Sequence, residues 1–306
     1  WSPVLEQSRM PDLAHMMTPA ATLPQDGTSG VLAGRVWRPD AGGPSVVAVR
    51  ADGVVDLSRL APTMRDLCER DDAVEIVRSG AGEPLGPLEA ILTNTPEATR
   101  DPKQPWLLTP IDLQAVKAAG VTFARSMVER VIEEQARGAP EKADAIRKAV
   151  AAQLGGNLRA LVPGSPQAAE LKRVLIEQGA WSQYLEVGIG PDAEIFTKCQ
   201  PMAAVGHGMA AGLHPISTWN NPEPEVVLVV TSTGKIVGAT LGNDVNLRDV
   251  EGRSALLLSK AKDNNASASI GPLIRFFDRT FSLDTVRRIE VGLRVAGEDG
   301  FVLNGR

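Results

Sequence analysis

NNPEPEVVLVVTSTGKIVGATLGNDVNLRD, residues 220–249, is the stretch whose reading decides the fold. Glu223 and Glu225 are two apart, so on an extended strand both side chains point to one face. The run Val226 to Val230 is short, apolar and β-branched, which predicts a buried strand. Thr231-Ser232-Thr233-Gly234 has turn chemistry, and Lys235 to Leu241 reads as the returning strand. A hairpin folded about Thr233 places Glu223 opposite Asn243 and beside Asp244. Three carboxylates then meet at the open end, where mutual repulsion raises at least one pKa. A hard divalent cation, Mg²⁺ or Mn²⁺, removes that conflict because it prefers oxygen ligands. An acidic strand end facing solvent fits the same residues equally well.

Outside this stretch the composition is that of a globular chain long enough for one large domain or two. The 306 residues carry 32 Lys and Arg against 37 Asp and Glu, a formal charge of −5. No block of like charge occurs, so nucleic acid is not an expected partner. Cys68 and Cys199 fit neither a disulfide framework nor a zinc pattern and read as reduced thiols. No apolar run reaches the roughly 18–20 residues of a membrane span, so no membrane partner and a cytoplasmic location are expected. A start at Trp1 and an end at Asn304-Gly305-Arg306 read as a chain trimmed at both ends.

Residues 1 to about 28 are aperiodic and read as an arm. From Gly30 short strands follow, VLAGRVW, SVVAVR and GVVDL, with turns at Asp40–Gly43 and Ala51–Gly53. Thr63 to Glu69 reads as a helix, and Pro84 to Pro105 as a connection. Further helices are expected at Ile111–Ala119, Phe123–Arg137, Lys142–Leu154 and Gln167–Gln178, the last after a Pro-Gly-Ser-Pro start signal. Trp181 to Pro201 returns to strand-like runs. The domain division expected is 1–107, an arm and a small β-rich domain, then 108–306, the catalytic part.

Several residues near the hairpin carry candidate chemistry. Arg248 follows Asp244 by four residues, so a helical turn would put both on one face. Its guanidinium suits a carboxylate clamp, and equally an ion pair to Asp249, Glu251 or Asp244. Lys260 and Lys262 are either solvated or, beside a cation, depressed in pKa and able to carry a proton. Gly188-Ile189-Gly190 and Gly206-His207-Gly208 lack the strand-to-helix setting of a nucleotide loop. His15, His207 and His214 have no ligand spacing, and Ser126 and Ser254 no nucleophile-elbow setting.

Pro222-Glu223-Pro224-Glu225, Gly242-Asn243-Asp244 with Arg248-Asp249, and Lys262 ten residues before the proline of Gly271-Pro272 resemble the signature of the fumarylacetoacetate hydrolase family. The likeness runs from about Gly120 to the end. It implies a mixed α+β, mainly β fold: the family's β-roll, with a small N-terminal β domain and inserted helices. By the same resemblance Glu223, Glu225 and Asp244 are ligands for Mg²⁺ or Mn²⁺. Lys262 and Arg248 become catalytic residues, and Arg248, Lys262, Asn243 and Ser126 contact the substrate. The implied partner is a small-molecule 2-keto acid, and the implied assembly a homodimer or homotetramer. The family also continues beyond the point where this chain stops.

One departure bears on the reaction. Hydrolases of that family carry a His–Glu pair near the start of this region. Here the corresponding stretch, Thr122 to Glu129, keeps Glu129 and has Ser126 at the histidine position. A serine is no general base near neutral pH unless a neighbour activates it. GVTFARSMVERVIEEQARG, WSQYLEVGIGPDAEIFTK and LRDVEGRSALLLSKAKDNNASASIGP narrow the resemblance to the sugar-acid dehydratase branch, which implies a 2-keto-3-deoxy sugar acid as substrate. Lys262 or Glu129 is then the candidate base at C3, and Glu129 or Glu133 the candidate acid at C4. A metal-dependent hydrolase of acylpyruvates or diketo-deoxy sugar acids is the alternative enzyme. A metal-binding or assembly protein without turnover is the alternative outside enzymes.

Overall fold

The computed structural model describes residues 13–120, 148, 161–177, 179, 181, 183–297 and 299–305. The helices expected at Phe123–Arg137 and Lys142–Leu154 fall outside these residues. The chain forms two compact units, one of Trp1–Val116 with Lys198–Arg306 and one of Lys117–Thr197. The architecture is mixed α/β and dominated by antiparallel sheet.

In the first unit, β1 (Leu32–Arg38), β2 (Gly43–Arg50) and β3 (Gly53–Asp56) form an antiparallel meander where the three short strands were expected. Alternation along β1 and β2 divides their side chains between two apolar layers. Ala33, Val46 and Ala48 face one layer, which also holds Met64, Leu67 and Ile76. Leu32, Val36, Val47 and Val49 face the other, with Ile91 and Leu92. The helices Met64–Cys68 and Ala73–Ser79 thus cover one face and Leu88–Thr93 the opposite face. Burial of each such Leu or Val is worth about 1.5–3 kcal/mol.

Pro84 to Pro105, read as a connection, contains β4 (Glu83–Gly86) at its start, the helix Leu88–Thr93 and a 3₁₀ turn. Leu88, Ile91 and Leu92 recur at helical spacing, and that short apolar face outweighs the surrounding prolines. β5 (Trp106–Leu108) follows and pairs with β1. Ile111–Ala119 is not a helix: its second half is β6 (Val116–Ala119), which pairs with β7 (Ile195–Cys199). The partner strand lies some 80 residues on (Lys117 Nζ donates to Thr197 Oγ1), beyond the reach of local periodicity. In the second unit Pro166–Glu177 is helical as expected, whereas the strand-like stretch from Trp181 first forms the helix Gln183–Ile189.

The remaining strands are β8 (Asn220–Asn221), β9 (Pro224–Val230), β10 (Ile236–Asp244), β11 (Asn246–Leu247), β12 (Ala268–Phe276), β13 (Leu293–Ala296) and β14 (Val302–Gly305). One eight-stranded sheet runs β4-β3-β2-β1-β12-β10-β9, with β5 on β1. β1 is hydrogen-bonded to β12, so this sheet joins strands from early and late in the chain. β9 ends the sheet opposite β4, and Leu228 and Val230 on it are exposed, so the run expected to be buried is covered chiefly at Val229. Among the described residues no helix is long and apolar enough to cross a membrane.

A buried ion pair locks the first unit. Arg35 donates to the carbonyls of Thr109 and Ile111 and lies 3.4 Å from Asp112, both side chains being buried. Asp112 also accepts from the backbone of Met64 at 2.7 Å and Arg65 at 3.0 Å, holding the start of that helix. Asp112→Ala leaves Arg35 uncompensated and three N–H groups, those of Met64, Arg65 and Leu113, without their acceptor, an expected loss of about 3–5 kcal/mol. Denaturant melting checks this, and a loss near zero would contradict it.

Candidate metal centre

β9 and β10 form the expected hairpin, with Gly234 taking a positive φ (84°) in the turn. The register differs from the sequence expectation by one residue. Ile236 pairs with Val230 but Gly238 with Val229, so Val237 bulges from the ladder. From there on Asn243 pairs with Pro224, and the Asp244 N–H donates to the Glu223 carbonyl at 2.9 Å. Asp244, rather than Asn243, therefore lies opposite Glu223 and shares its face. Gly242 stands opposite Glu225, and a Cβ there would come within 2.5 Å of Val227 Cγ2.

The carboxylates of Glu223, Glu225 and Asp244 each offer an oxygen, all within 4.8 Å of one another. Two ammonium groups meet this trio. Lys262, at the end of the short helix Leu258–Lys262, donates to Glu223 Oε2 and, at 3.0 Å, to Asp244 Oδ2. Lys198, on β7, lies 3.0 Å from Asp244 Oδ1 and donates to the Val245 carbonyl at 2.8 Å and to the Lys262 carbonyl. Lys262 is 3% exposed and Lys198 2%, and Asp244 between them is 5% exposed.

These contacts set the titration of the site. Burial pushes the Glu225 carboxyl up, Asp244 and Glu223 push it further, and it reaches about 7. Burial pulls Lys262 down, but the hydrogen bond to Glu223 and the charge of Asp244 outweigh it, so its pKa is raised. Lys198 is lowered, by burial first, with Asp244 opposing. Three carboxylates against two ammonium groups leave the cluster negative, and Glu225 takes up the imbalance. An all-oxygen donor set with surplus negative charge fits a hard divalent cation.

The other residues singled out from sequence fall in different places. Asn243 accepts from the Glu223 N–H at 2.9 Å, so its side chain braces the strand end. Arg248 and Asp244 do not share a helix face, because the chain stays extended through β11 and the helix Arg248–Glu251 begins only at Arg248. Arg248 pairs with Glu251 at 2.9 Å and is partly exposed. Asp249 accepts from Ser217 Oγ at 2.7 Å and from the Thr218 N–H at 3.0 Å, anchoring the loop that leads into β8. Lys260 is exposed. Ser126, Glu129 and Glu133 lie outside the described residues.

Two participants were not anticipated: Lys198, and Asn246, whose amide donates to Glu223 Oε1 at 3.0 Å. Lys198 carried one signal, a lysine inside the strand-like run Ile195-Phe196-Thr197-Lys198-Cys199, where a charge is buried only with a partner. Asn246 carried none, since an Asn after Asp-Val is an ordinary surface choice.

No family model matches the chain. Over 99 residues, 31% of this chain, it is 39% identical to the 2-dehydro-3-deoxy-D-arabinonate dehydratase of Saccharolobus solfataricus. It is 41% identical over 91 residues to a probable 2-keto-3-deoxyxylonate dehydratase of Haloferax volcanii. The matches span about a third of each of these relatives, 33% and 31%. Among solved structures, 2-keto-3-deoxy-D-arabinonate dehydratase complexed with magnesium and 2,5-dioxopentanoate overlays with a TM-score of 0.48 at 20% identity, covering 79% of this chain and 65% of that one. A fumarylacetoacetate hydrolase from Exiguobacterium antarcticum overlays at 0.42 and 14% identity, covering 81% of this chain and 68% of that one. Over these matched stretches the chain resembles two curated proteins named as 2-keto-3-deoxy-pentonate dehydratases.

Proposed function

We propose that this protein is a metal-dependent hydro-lyase that removes water from a 2-keto-3-deoxy sugar acid, 2-keto-3-deoxy-D-arabinonate, to give 2-ketoglutarate semialdehyde. The observation that carries this reading is the convergence of Glu223, Glu225 and Asp244 on one face beside Lys262. The names of the two curated relatives support the dehydratase assignment. In the same reading the fold is the family's β-roll, the protein is cytoplasmic, and the assembly is a homodimer or homotetramer.

Glu223, Glu225 and Asp244 would hold Mg²⁺, or Mn²⁺, which when bound supplies Lewis-acid polarisation of a 2-keto acid. Asp244, fixed by Lys198 and the sheet, is the rigid member of the set, and Glu225 must give up its proton to join it. Lys262, an ammonium held by two carboxylates, donates rather than accepts, and so suits charge that develops on the substrate's C2 oxygen. That leaves Glu129 as the base that takes the C3 proton. The C4 hydroxyl departs as water with a proton from Glu133, leaving a C3=C4 enone. Loss of a C5 proton and return of a proton to C3 then give a C4=C5 enol, which tautomerises to the semialdehyde. Arg248 meets the substrate carboxylate, and Ser126 stands where the family's hydrolases carry the histidine of their His–Glu pair, which favours elimination over attack by water.

Incubating the purified protein with 2-keto-3-deoxy-D-arabinonate and Mg²⁺ tests this. The expected outcome is a single semialdehyde product with all five carbons, absent when EDTA is added. Pyruvate plus a two-carbon fragment would mean C–C cleavage, and no product at all would end the enzymatic reading for this substrate.

A further inference from the structure

Asn246 is 0% exposed, yet its side chain lies against two carboxylates. Nδ2 donates to Glu223 Oε1 at 3.0 Å and to Glu251 Oε2 at 2.6 Å. Only the nitrogen of an amide can face two acceptors, so these partners fix which way the group points. Glu251 Oε2 also accepts from Arg248 Nη1 at 2.9 Å. Asn221 Nδ2 adds a longer contact, 3.3 Å, to the same oxygen of Glu223. A continuous chain of hydrogen bonds therefore runs from the Arg248 guanidinium through Glu251 and Asn246 to Glu223.

The two oxygens of Glu223 are used differently. Oε1 is taken by the amides of Asn246 and Asn221, and Oε2 faces Lys262 and the carboxylate trio. A glutamate has three side-chain torsions to order, and two donors on one oxygen fix the orientation of the other. A buried amide is unfavourable unless bonded, and an apolar residue of the same volume would fill this space at less cost. The amide is accounted for if the direction of Glu223 matters.

We propose that Asn246 is a positioning residue for the cation site. Through Glu251 it joins Arg248 to that site, so that the orientation of Glu223 and that of the guanidinium are set together. The inference rests on the metal-site reading above and adds residues that act through Glu223.

Titrating the purified, substrate-free protein with Mg²⁺ in a calorimeter tests it. Asn246→Leu keeps the volume and removes the donors, and is expected to weaken Mg²⁺ binding by about 10–100-fold, the usual range for loss of an outer hydrogen-bond partner. Glu251→Ala, at a partly exposed position, guards against a misfolded Leu variant and is expected to weaken binding about tenfold. Glu251→Gln, whose amide oxygen still accepts from Asn246, should restore most of that loss. A lower melting temperature with Mg²⁺ affinity unchanged in both Asn246→Leu and Glu251→Ala would overturn the proposal, since packing alone predicts that pattern. If the unmutated protein takes up no Mg²⁺, the metal-site reading beneath it fails first, which separates the two failures.

Discussion

Glu223→Ala is expected to abolish measurable Mg²⁺ binding and to lower turnover of 2-keto-3-deoxy-D-arabinonate by about a thousandfold or more. The size follows from losing several kcal/mol of charge stabilisation, each 1.36 kcal/mol being about a factor of ten. Glu223 is the member of the trio that touches the most distinct groups: Lys262, Asn246 and Asn221 through its side chain, Asn243 and Asp244 through its backbone. The backbone contacts survive truncation, so the hairpin should persist and circular dichroism should be unchanged. Activity within a few-fold of the unmutated protein would remove Glu223 from the ligand set.

Asp244→Ala and Glu225→Gln are expected to shift the stability of the metal-free protein in opposite directions. Asp244 is the buried counter-charge of both Lys198 and Lys262, and removing it strands the Lys198 ammonium and leaves Lys262 with Glu223 alone, a loss of about 3–5 kcal/mol. Glu225 is in the reverse position, pushed up to about 7 by burial and by Asp244 and Glu223. Unfolded, the same carboxyl titrates near the usual ~4.3. Between these values the folded state holds the extra proton, so its stability is full below about 4.3 and falls as pH rises through about 7. Metal-free melting temperatures should therefore fall from pH 5 to pH 8, and Glu225→Gln should be the more stable variant only toward the upper end. Mg²⁺ should reverse the trend in the unmutated protein, since a bound cation favours the ionised carboxylate. A difference between the two proteins that ignores pH would mean that Glu225 is not the titrating group.

The sequence-level reading succeeded where information is local. Strand patterning gave β1 to β3, turn chemistry gave the hairpin, and the two-residue spacing of Glu223 and Glu225 put both on one face. It failed where a distant partner decides. β6 was read as helix because its pairing to β7 cannot be inferred from nine residues, and the Val226–Val230 run was read as buried because nothing local marks a sheet edge. Around the candidate site the carboxylates were legible from spacing, and Lys262 only from the family resemblance. Lys198 and Asn246 were not, because they reach Asp244 and Glu223 from separate segments through contacts that only folding creates.

The bulge at Val237 makes the hairpin a counting device. Seven residues, or about 24 Å of strand at 3.4 Å per residue, separate it from Asp244. Yet whether that carboxylate meets Glu223 or turns to the far side of the sheet depends on the parity the bulge introduces. Position 237 is thus sensitive to whether a residue occupies it as well as to which one does, since Val237 also packs against the core. Deleting one residue there is expected to swing Asp244 to the far side of the sheet, although the change does not touch the site itself.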